Sequence, residues 1–425
     1  MLSTLSNAWK VSDLRKKILW TVFLIVIFRM GSYIPVPGID AQSLKQLTQS
    51  DGLFGFYNMI SGGSLSRFSI FALGVVPYIN SSIIMQLLTI AIPQLEQLSK
   101  EGEEGRKKIQ SITRYLSLVI GVITAYGSYL LINRYGAIKT NSPMTIMLVI
   151  ISLVVGSTFL MWLGDQITVK GVGNGVSIII FANIIAGLPM TAYQVAGLTS
   201  AGSINVIEIV LFIVFTLALL CAVIYLSLAE RRVPVHYAGK SVGNKVYKGQ
   251  NTHIPLSIIG TTVIAIIFAM SVMSFPGAVA RFFPNNSVSQ WITAAQWSPF
   301  NETGILYPIC YAVLTIFFTW FYTQITFKPD EMAENMYKSS GFIPGIRPGQ
   351  ETAIYLEKLL NRVSFIGGIF AAILAVMPVV INNYTPFKGV QFGGTSLLIL
   401  VSVSLEIMRQ LETQLTMRHY KGFLK

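Results

Sequence analysis

The sequence predicts an all-α polytopic membrane protein whose ten transmembrane helices form two inverted five-helix halves. Three observations carry that reading. The 425 residues are 53% hydrophobic and only 12% charged, with a mean hydropathy of +0.62. Ten apolar runs approach membrane-spanning length, and the basic residues divide unevenly when those runs are taken as alternating crossings. A soluble globular domain carries roughly a quarter charged residues, so a soluble enzyme is the wrong default. Gly and Pro show neither a collagen period nor low-complexity bias. Cys221 and Cys310 lie in apolar runs, and His236, His253 and His419 have no ligand spacing. Disulfide scaffolds and zinc clusters are therefore not expected.

A bilayer core of about 30 Å takes roughly 20 apolar residues in a helix. Candidate runs cover approximately 18–35, 75–92, 115–132, 145–163, 176–190, 206–228, 256–275, 305–327, 359–381 and 394–411. The first follows Arg15, Lys16 and Lys17 in the manner of a signal peptide. Arg29 interrupts it, Pro35-Val36-Pro37-Gly38 follows it, and no convincing cleavage site is present, so a retained span is expected. The fifth is the shortest and must tilt little or thin the bilayer.

With alternating crossings, 24 of the 31 Lys and Arg residues fall on one side and 7 on the other. The positive-inside rule places the rich side, with both termini, in the cytoplasm. Five spans per half is odd, so halves of about 1–190 and 191–425 would insert upside down relative to each other, as in many channels and transporters. That symmetry comes from counting, and ten helices without internal symmetry is the alternative.

Several segments depart from simple spans. Residues 54–67 are mildly apolar, Gly-broken and too short to cross. Such a stretch either re-enters a central funnel, where irregular backbone is tolerated, or lies on the headgroups. The second run mixes Pro77, Asn80, Ser81, Ser82 and Gln86 among apolar residues, and polar groups there face neighbouring helices or a cavity. Gln86 is the residue to test first. Arg29, Asp165, Glu208 and Glu406 lie toward span ends, which leaves no midplane relay of the kind ion coupling needs. Two basic loops, about 229–255 and 328–358, carry Pro and Gly punctuation suited to docking tips. Arg347, between Gly345 and Pro348-Gly349, stands out. Gly171-Val-Gly-Asn-Gly175 resembles part of a dinucleotide loop but follows no strand, and reads as the entrance to span five. No Walker A sequence or nucleophile elbow can be assembled.

Across nearly its whole length the chain resembles the Sec61/SecY family of protein-conducting channels. The stretches that carry this are Ser61-Gly-Gly-Ser-Leu-Ser-Arg67, Phe71-Ala-Leu-Gly74 with Pro77-Tyr-Ile79, Lys100-Glu-Gly102 with Gly105-Arg-Lys107, and Met161-Trp-Leu-Gly164. Gly173-Asn-Gly175, Phe342-Ile-Pro-Gly-Ile-Arg-Pro-Gly349 and Phe392-Gly-Gly-Thr-Ser-Leu-Leu-Ile399 complete them.

The resemblance implies an hourglass of two five-helix halves. Its re-entrant plug helix would comprise Tyr57, Asn58, Met59, Ile60, Ser61, Gly62, Gly63, Ser64, Leu65, Ser66 and Arg67. It implies an apolar pore ring of Val75, Ile79, Val176, Ile180, Ile267 and Ile399. An apolar constriction of this kind blocks ions by dewetting. Two of these positions hold Val where Ile is common in the family. A lateral gate between spans two and three and spans seven and eight is implied, with Gln86 near it. Arg231, Arg232, Lys245, Lys248 and Arg347 become docking contacts for the ribosome or the SecA motor ATPase. SecE and SecG subunits, secretory and membrane polypeptides and lipids are the implied partners, and the bacterial plasma membrane is the implied location. No cofactor or enzymatic activity is expected. An inverted-repeat secondary transporter of a small solute is the second reading, and an intramembrane enzyme the third.

Overall fold

The computed structural model describes residues 2–39, 63–65, 67–134, 138, 142–200, 204–237, 240–242, 245–247, 251–257, 262–282, 286–301, 304–385, 387 and 394–422. The fold is mainly helical. The first half contains α1 (Leu2–Lys10), α2 (Ser12–Gly31), α3 (Val76–Ala91), α4 (Pro93–Lys100), α5 (Glu103–Arg134), α6 (Pro143–Lys170) and α7 (Gly175–Ser200). Next come α8 (Val206–Leu228), four strands, α9 (Thr262–Phe282), α10 (Ser287–Ala294), α11 (Leu306–Phe327) and α12 (Pro329–Lys338). A short strand, α13 (Gln350–Tyr384) and α14 (Gly394–Gly422) end the chain.

A helix lies within each of the ten predicted runs, although the run 256–275 starts in a strand and its helix begins only at Thr262, and they differ in quality as spans. Among the described residues, six stretches are long and apolar enough to cross a bilayer, within α5, α6, α7, α8, Leu306–Lys338 and α13. The pair α3 and α4 makes a seventh if it is one span, although it bends by 102°. The bend falls at Ile92, because Pro93 cannot continue the α3 hydrogen-bond ladder and pushes the preceding residue into extended backbone. Asp13, Arg15, Lys16, Lys17 and Arg29 keep α2 out of this group, while α14 carries Glu406, Arg409 and Glu412. Among the described residues, α9 counts only as a shorter apolar helix, Thr262–Gly277. At its far end, α7 runs ten residues beyond the predicted boundary at 190.

Burial follows one stripe while both faces stay apolar, the pattern of a helix between protein and lipid. In α2, Leu14, Thr21, Leu24, Phe28 and Gly31 point inward, whereas Leu19, Val22, Phe23, Val26 and Met30 are exposed. The extreme is α8, of whose apolar window only 6% is buried. A capping box at its start, with the Asn205 backbone N–H donating to Glu208 Oε2 at 2.9 Å, satisfies an otherwise orphaned donor.

α6 is deeply packed, with Leu153, Leu160, Leu163 and Ile167 fully buried. Ser142 caps its start by accepting from the Thr145 backbone N–H at 3.2 Å. The irregular segment 67–75 runs against it so closely that a Cβ on Gly156 would lie 1.9 Å from the Ile70 carbonyl oxygen. Ser157 Oγ reinforces the approach by donating to the Gly74 carbonyl at 3.1 Å.

The all-α expectation needs one correction. Loop 229–255 folds as strands β1 (Glu230–Tyr237), β2 (Lys240–Val242), β3 (Lys245–Tyr247) and β4 (Asn251–Ser257), and loop 328–358 contributes β5 (Gly341–Phe342). β1 pairs antiparallel with β4 from Glu230↔Ser257 to His236↔Asn251, and its other edge takes β5 through His236↔Phe342 and Tyr237↔Gly341. Separately, β2 and β3 pair with each other. Val233 and Val235 face Leu256, Met336, Ile343, Leu356 and Leu360, so the sheet has its own apolar core. Pro234 sits where β5 does not reach, on a partly unpaired edge that tolerates a missing N–H. The two predicted docking loops are therefore one folded unit.

Gly156→Ala is expected to lower stability by about 1–3 kcal/mol through overpacking against the Ile70 carbonyl. Gly121→Ala, where nothing lies within 4 Å, is expected to be neutral or to gain up to about 1 kcal/mol in helix propensity. Thermal unfolding of the solubilised chain compares them, and equal Tm values would refute the close-approach argument.

Candidate functional site

Five of the six predicted ring residues meet. Val75, Ile180 and Ile399 are buried in one apolar cluster with Leu160, Leu163 and Ile167 of α6, and Ile79 and Val176 pack against it. Ile267 packs instead in a neighbouring cluster with Ile83, Phe268 and Tyr322. Ile79 belongs to both, so the sixth residue joins the others through it.

Local backbone chemistry places each contributor. Val75 and Ile79 are linked by the first turn entering α3, where the Ile79 N–H donates to the Val75 carbonyl at 3.0 Å. Their i, i+4 spacing gives them one face. Val176 and Ile180 depend on the Gly171–Gly175 turn, which forms the entrance to α7 as the sequence implies. Asn174 Oδ1 accepts from the backbone N–H groups of Val176 and Ser177 at 3.1 and 3.3 Å, a helix cap. Gly175 approaches α6 so closely that a Cβ would lie 1.9 Å from the Gly164 carbonyl oxygen. Thr168 Oγ1 accepts from its N–H at 2.8 Å, and Gln410 of α14 accepts from the N–H of Gly173.

Of the predicted plug, Tyr57–Gly62 and Ser66 lie outside the described residues. The described end is held to the exit of α2. Ser64 and Phe68 are buried, the Val36 N–H donates to the Phe68 carbonyl at 3.0 Å, and Pro35 and Ser69 form an antiparallel bridge. The Arg67 guanidinium stands 4.3 Å over the Tyr33 ring, a cation–π contact.

Gln86 projects from α3 across to α11, where the Tyr322 hydroxyl donates to its Oε1 at 2.7 Å. About two turns earlier, Ser271 of α9 donates to Asn80 Oδ1 at 3.3 Å. Between these rungs an apolar strip of Ile83 and Leu87 meets Phe268, Phe318 and Phe321. Phe268 lies 4.9 Å from the Tyr322 ring and 5.2 Å from that of Phe318, centroid to centroid. The α3 face against α9 and α11 is thus a narrow seam with two polar rungs. Sequence reasoning named Asn80 and Gln86 but missed Ser271 and Tyr322, which are unremarkable in their own helices. Asp165, read as closing span four, accepts from Arg114 of α5 at 2.7 Å and from Gln110 at 3.4 Å.

On the sheet unit, Arg231 and Arg232 are exposed on β1. Arg347 is exposed in a turn whose Gly345 and Gly349 take φ values of +81° and +102°, and its carbonyl accepts from Thr352 Oγ1 at 2.9 Å. Lys245 lies in β3, and Lys248 is outside the described residues.

Among the described residues, no group of three or more His, Cys, Asp or Glu could hold a metal ion. Apolar helices around an apolar waist, with a polar-runged seam beside it, define a multi-pass membrane protein whose working parts are helix contacts. The family model described as SecY matches residues 69–408, and the chain belongs to the SecY family.

It is 42% identical over 435 residues to the protein translocase subunit SecY of Halalkalibacterium halodurans, each chain covered in full. It is 39% identical over 436 residues to that of Thermotoga maritima, covering 100% of this chain and 98% of the relative. Two solved structures share the fold. A protein-conducting channel matches with a TM-score of 0.68 at 19% identity, over 94% of this chain and 92% of that one. Sec61 in a canine ribosome–channel complex matches with a TM-score of 0.64 at 20% identity, with the same coverages. The family match and these relatives place the chain among SecY subunits, with the fold of the channel structures.

The Gln86–Tyr322 hydrogen bond is expected to show a coupling energy of about 0.5–1.5 kcal/mol in a cycle of Gln86→Leu, Tyr322→Phe and the double variant. Unfolding of the solubilised chain measures it, and additive effects would mean the rung is not formed.

Proposed function

We propose that this chain is the passive pore through which unfolded secretory polypeptides cross the plasma membrane and from which apolar segments leave sideways into lipid, driven by SecA or the ribosome. The observation that carries the reading is the cluster of Val75, Ile79, Val176, Ile180 and Ile399 at the junction of α3, α7 and α14, in a chain of the SecY family. With Ile267 these residues form the constriction ring. Bulky apolar side chains exclude water and ions at rest and deform around a passing chain.

In this reading the ten apolar runs are ten crossings in two inverted halves, with SecE and SecG beside them and both termini in the cytoplasm. The cationic excess on that side supports the orientation. Tyr57–Arg67 form the plug, whose end is anchored through Phe68 and Ser69 to the exit of α2. The seam marked by Gln86 is the lateral gate. Because the channel holds no nucleotide motif, energy comes from a docked partner. Arg231, Arg232, Lys245, Lys248 and Arg347 supply a cationic surface for acidic protein or RNA phosphate. The pairing of β1 with β5 brings the two loops into one docking face.

Lipid vesicles containing this chain with SecE, SecG and SecA are expected to import an unfolded secretory protein, and vesicles lacking the chain are not. Import independent of SecA would sink the passive-pore reading. In the same assay Arg347→Glu is expected to reduce SecA-driven import at least tenfold while membrane insertion and assembly are retained. Unchanged import would remove Arg347 from the docking face.

A further inference from the structure

Helix α14 touches both halves of the chain, each through its own stripe. Ile399, Val403 and Ile407, spaced four apart, pack in the cluster that holds Leu160 of α6 and Ile178 of α7. Val401 and Leu405, also four apart, enter a different cluster with Val223 of α8, Met273 of α9 and Leu374 of α13. Positions three or four apart share a helix face, so each stripe extends by one more position toward the C-terminal end. Gln410 continues the first stripe and Arg409 the second, and both are polar. The Gly173 N–H donates to Gln410 Oε1. Arg409 Nη2 stands 3.3 Å from Oε1 of Glu230, which opens β1.

Gly173 sits in the turn that leads into α7. It takes φ +78°, and a Cβ there would lie 3.3 Å from Ile407 Cγ1, so the turn rests directly on the first stripe. From the other side, Thr21 Oγ1 of α2 accepts from the Val172 N–H at 3.2 Å. Val176 follows three residues after Gly173 and Ile180 seven. One amide side chain therefore joins the approach to Val176 and Ile180 to the helix that carries Ile399.

We propose that Gln410 is a positioning residue of the constriction: it sets the turn before α7, and so Val176 and Ile180, in register with Ile399 on its own helix, while the Arg409–Glu230 pair fixes the rotation of α14 and ties the sheet unit to that register. The proposal rests on the reading of the apolar cluster as the constriction. The two contacts differ in kind. The ion pair is half-exposed on its Arg409 side, which makes it weak and screened by salt. The Gln410 bond is part-buried, where a backbone N–H stripped of its acceptor is strongly disfavoured. α14 is thus held firmly to the first half and adjustably to the sheet.

Two readouts on the full chain with its partner subunits in lipid vesicles test this. Amide hydrogen exchange over residues 171–180, followed by mass spectrometry, reports the turn, and leak of chloride from resting vesicles reports the constriction. Gln410→Leu is expected to speed exchange at Gly173 about tenfold and to raise the leak about threefold. Gln410→Glu keeps an acceptor and is expected to leave both near native. Arg409→Glu touches no residue of the turn, yet at low salt it is expected to speed exchange there about threefold, and Arg409→Glu/Glu230→Arg is expected to restore it. Native exchange in Gln410→Leu, or fast exchange in Gln410→Glu, would overturn the positioning role. No effect of Arg409→Glu, or no recovery in the charge swap, would overturn the tie to the sheet. Should Gln410→Leu not assemble, the Arg409 variants read the same segment from a half-exposed position and carry the decision. If exchange responds as expected while the leak stays native, the constriction reading fails and the register stands.

Discussion

Backbone reaches α6 at two places where only glycine permits it, and the position of the waist depends on both. At Gly156 the segment before α3 lies against the helix, which sets where Val75 and Ile79 emerge. At Gly164 the first residue of α7 does the same, which sets Val176 and Ile180. The rigid stretch between those contacts contains Leu160 and Leu163, which are fully buried and floor the apolar cluster. Two stretches of backbone held against one helix act as a template for the apolar cluster. Interiors are packed closely enough to transmit displacements of this size.

The waist and the seam answer different physical demands. Apolar side chains in the waist cluster are packed against protein, and in the proposed pore their closure excludes water. Along the seam the alternative environment is lipid, which is as apolar as Leu or Phe, so apolar contact alone gives little preference for the closed arrangement. Specific hydrogen bonds and shape must supply that preference. Tyr322 to Gln86 and Ser271 to Asn80 are such bonds, few and separated by an apolar strip. If the seam is the proposed lateral gate, a boundary held this way is stable at rest and yields to an apolar segment that replaces one hydrophobic neighbour with another.

Much of this architecture was legible in sequence because the bilayer imposes long apolar runs, and the Gly171–Gly175 turn announced the start of α7. Inward-facing polar residues of α3 were legible for the same reason, since lipid rejects them. Their partners were not, because Ser271 and Tyr322 are ordinary residues whose role arises only when α9 and α11 pack beside α3. The sheet was hidden by its composition: Pro234 and the flanking charges read as loop, although Val233 and Val235 alternate as a strand should. Ten crossings were counted from hydropathy, while among the described residues six stretches, or seven with the bent pair α3 and α4, satisfy length and composition alone.

The pairing of β1 with β5 also bears on biosynthesis. The β1–β4 hairpin is local and can form as soon as Ser257 has emerged, but Gly341 and Phe342 reach β1 only after α9 to α12 have been made, and in the proposed topology the chain travels out through α9 and back through α11 in between. An odd number of crossings in between would leave β5 on the wrong side of the bilayer, with Ile343 and Met336 unable to join Val233 and Val235. Completion of this small sheet therefore records the parity of membrane insertion. In the proposed ten-crossing arrangement, the surface it presents is finished only once α9 and α11 have both been threaded.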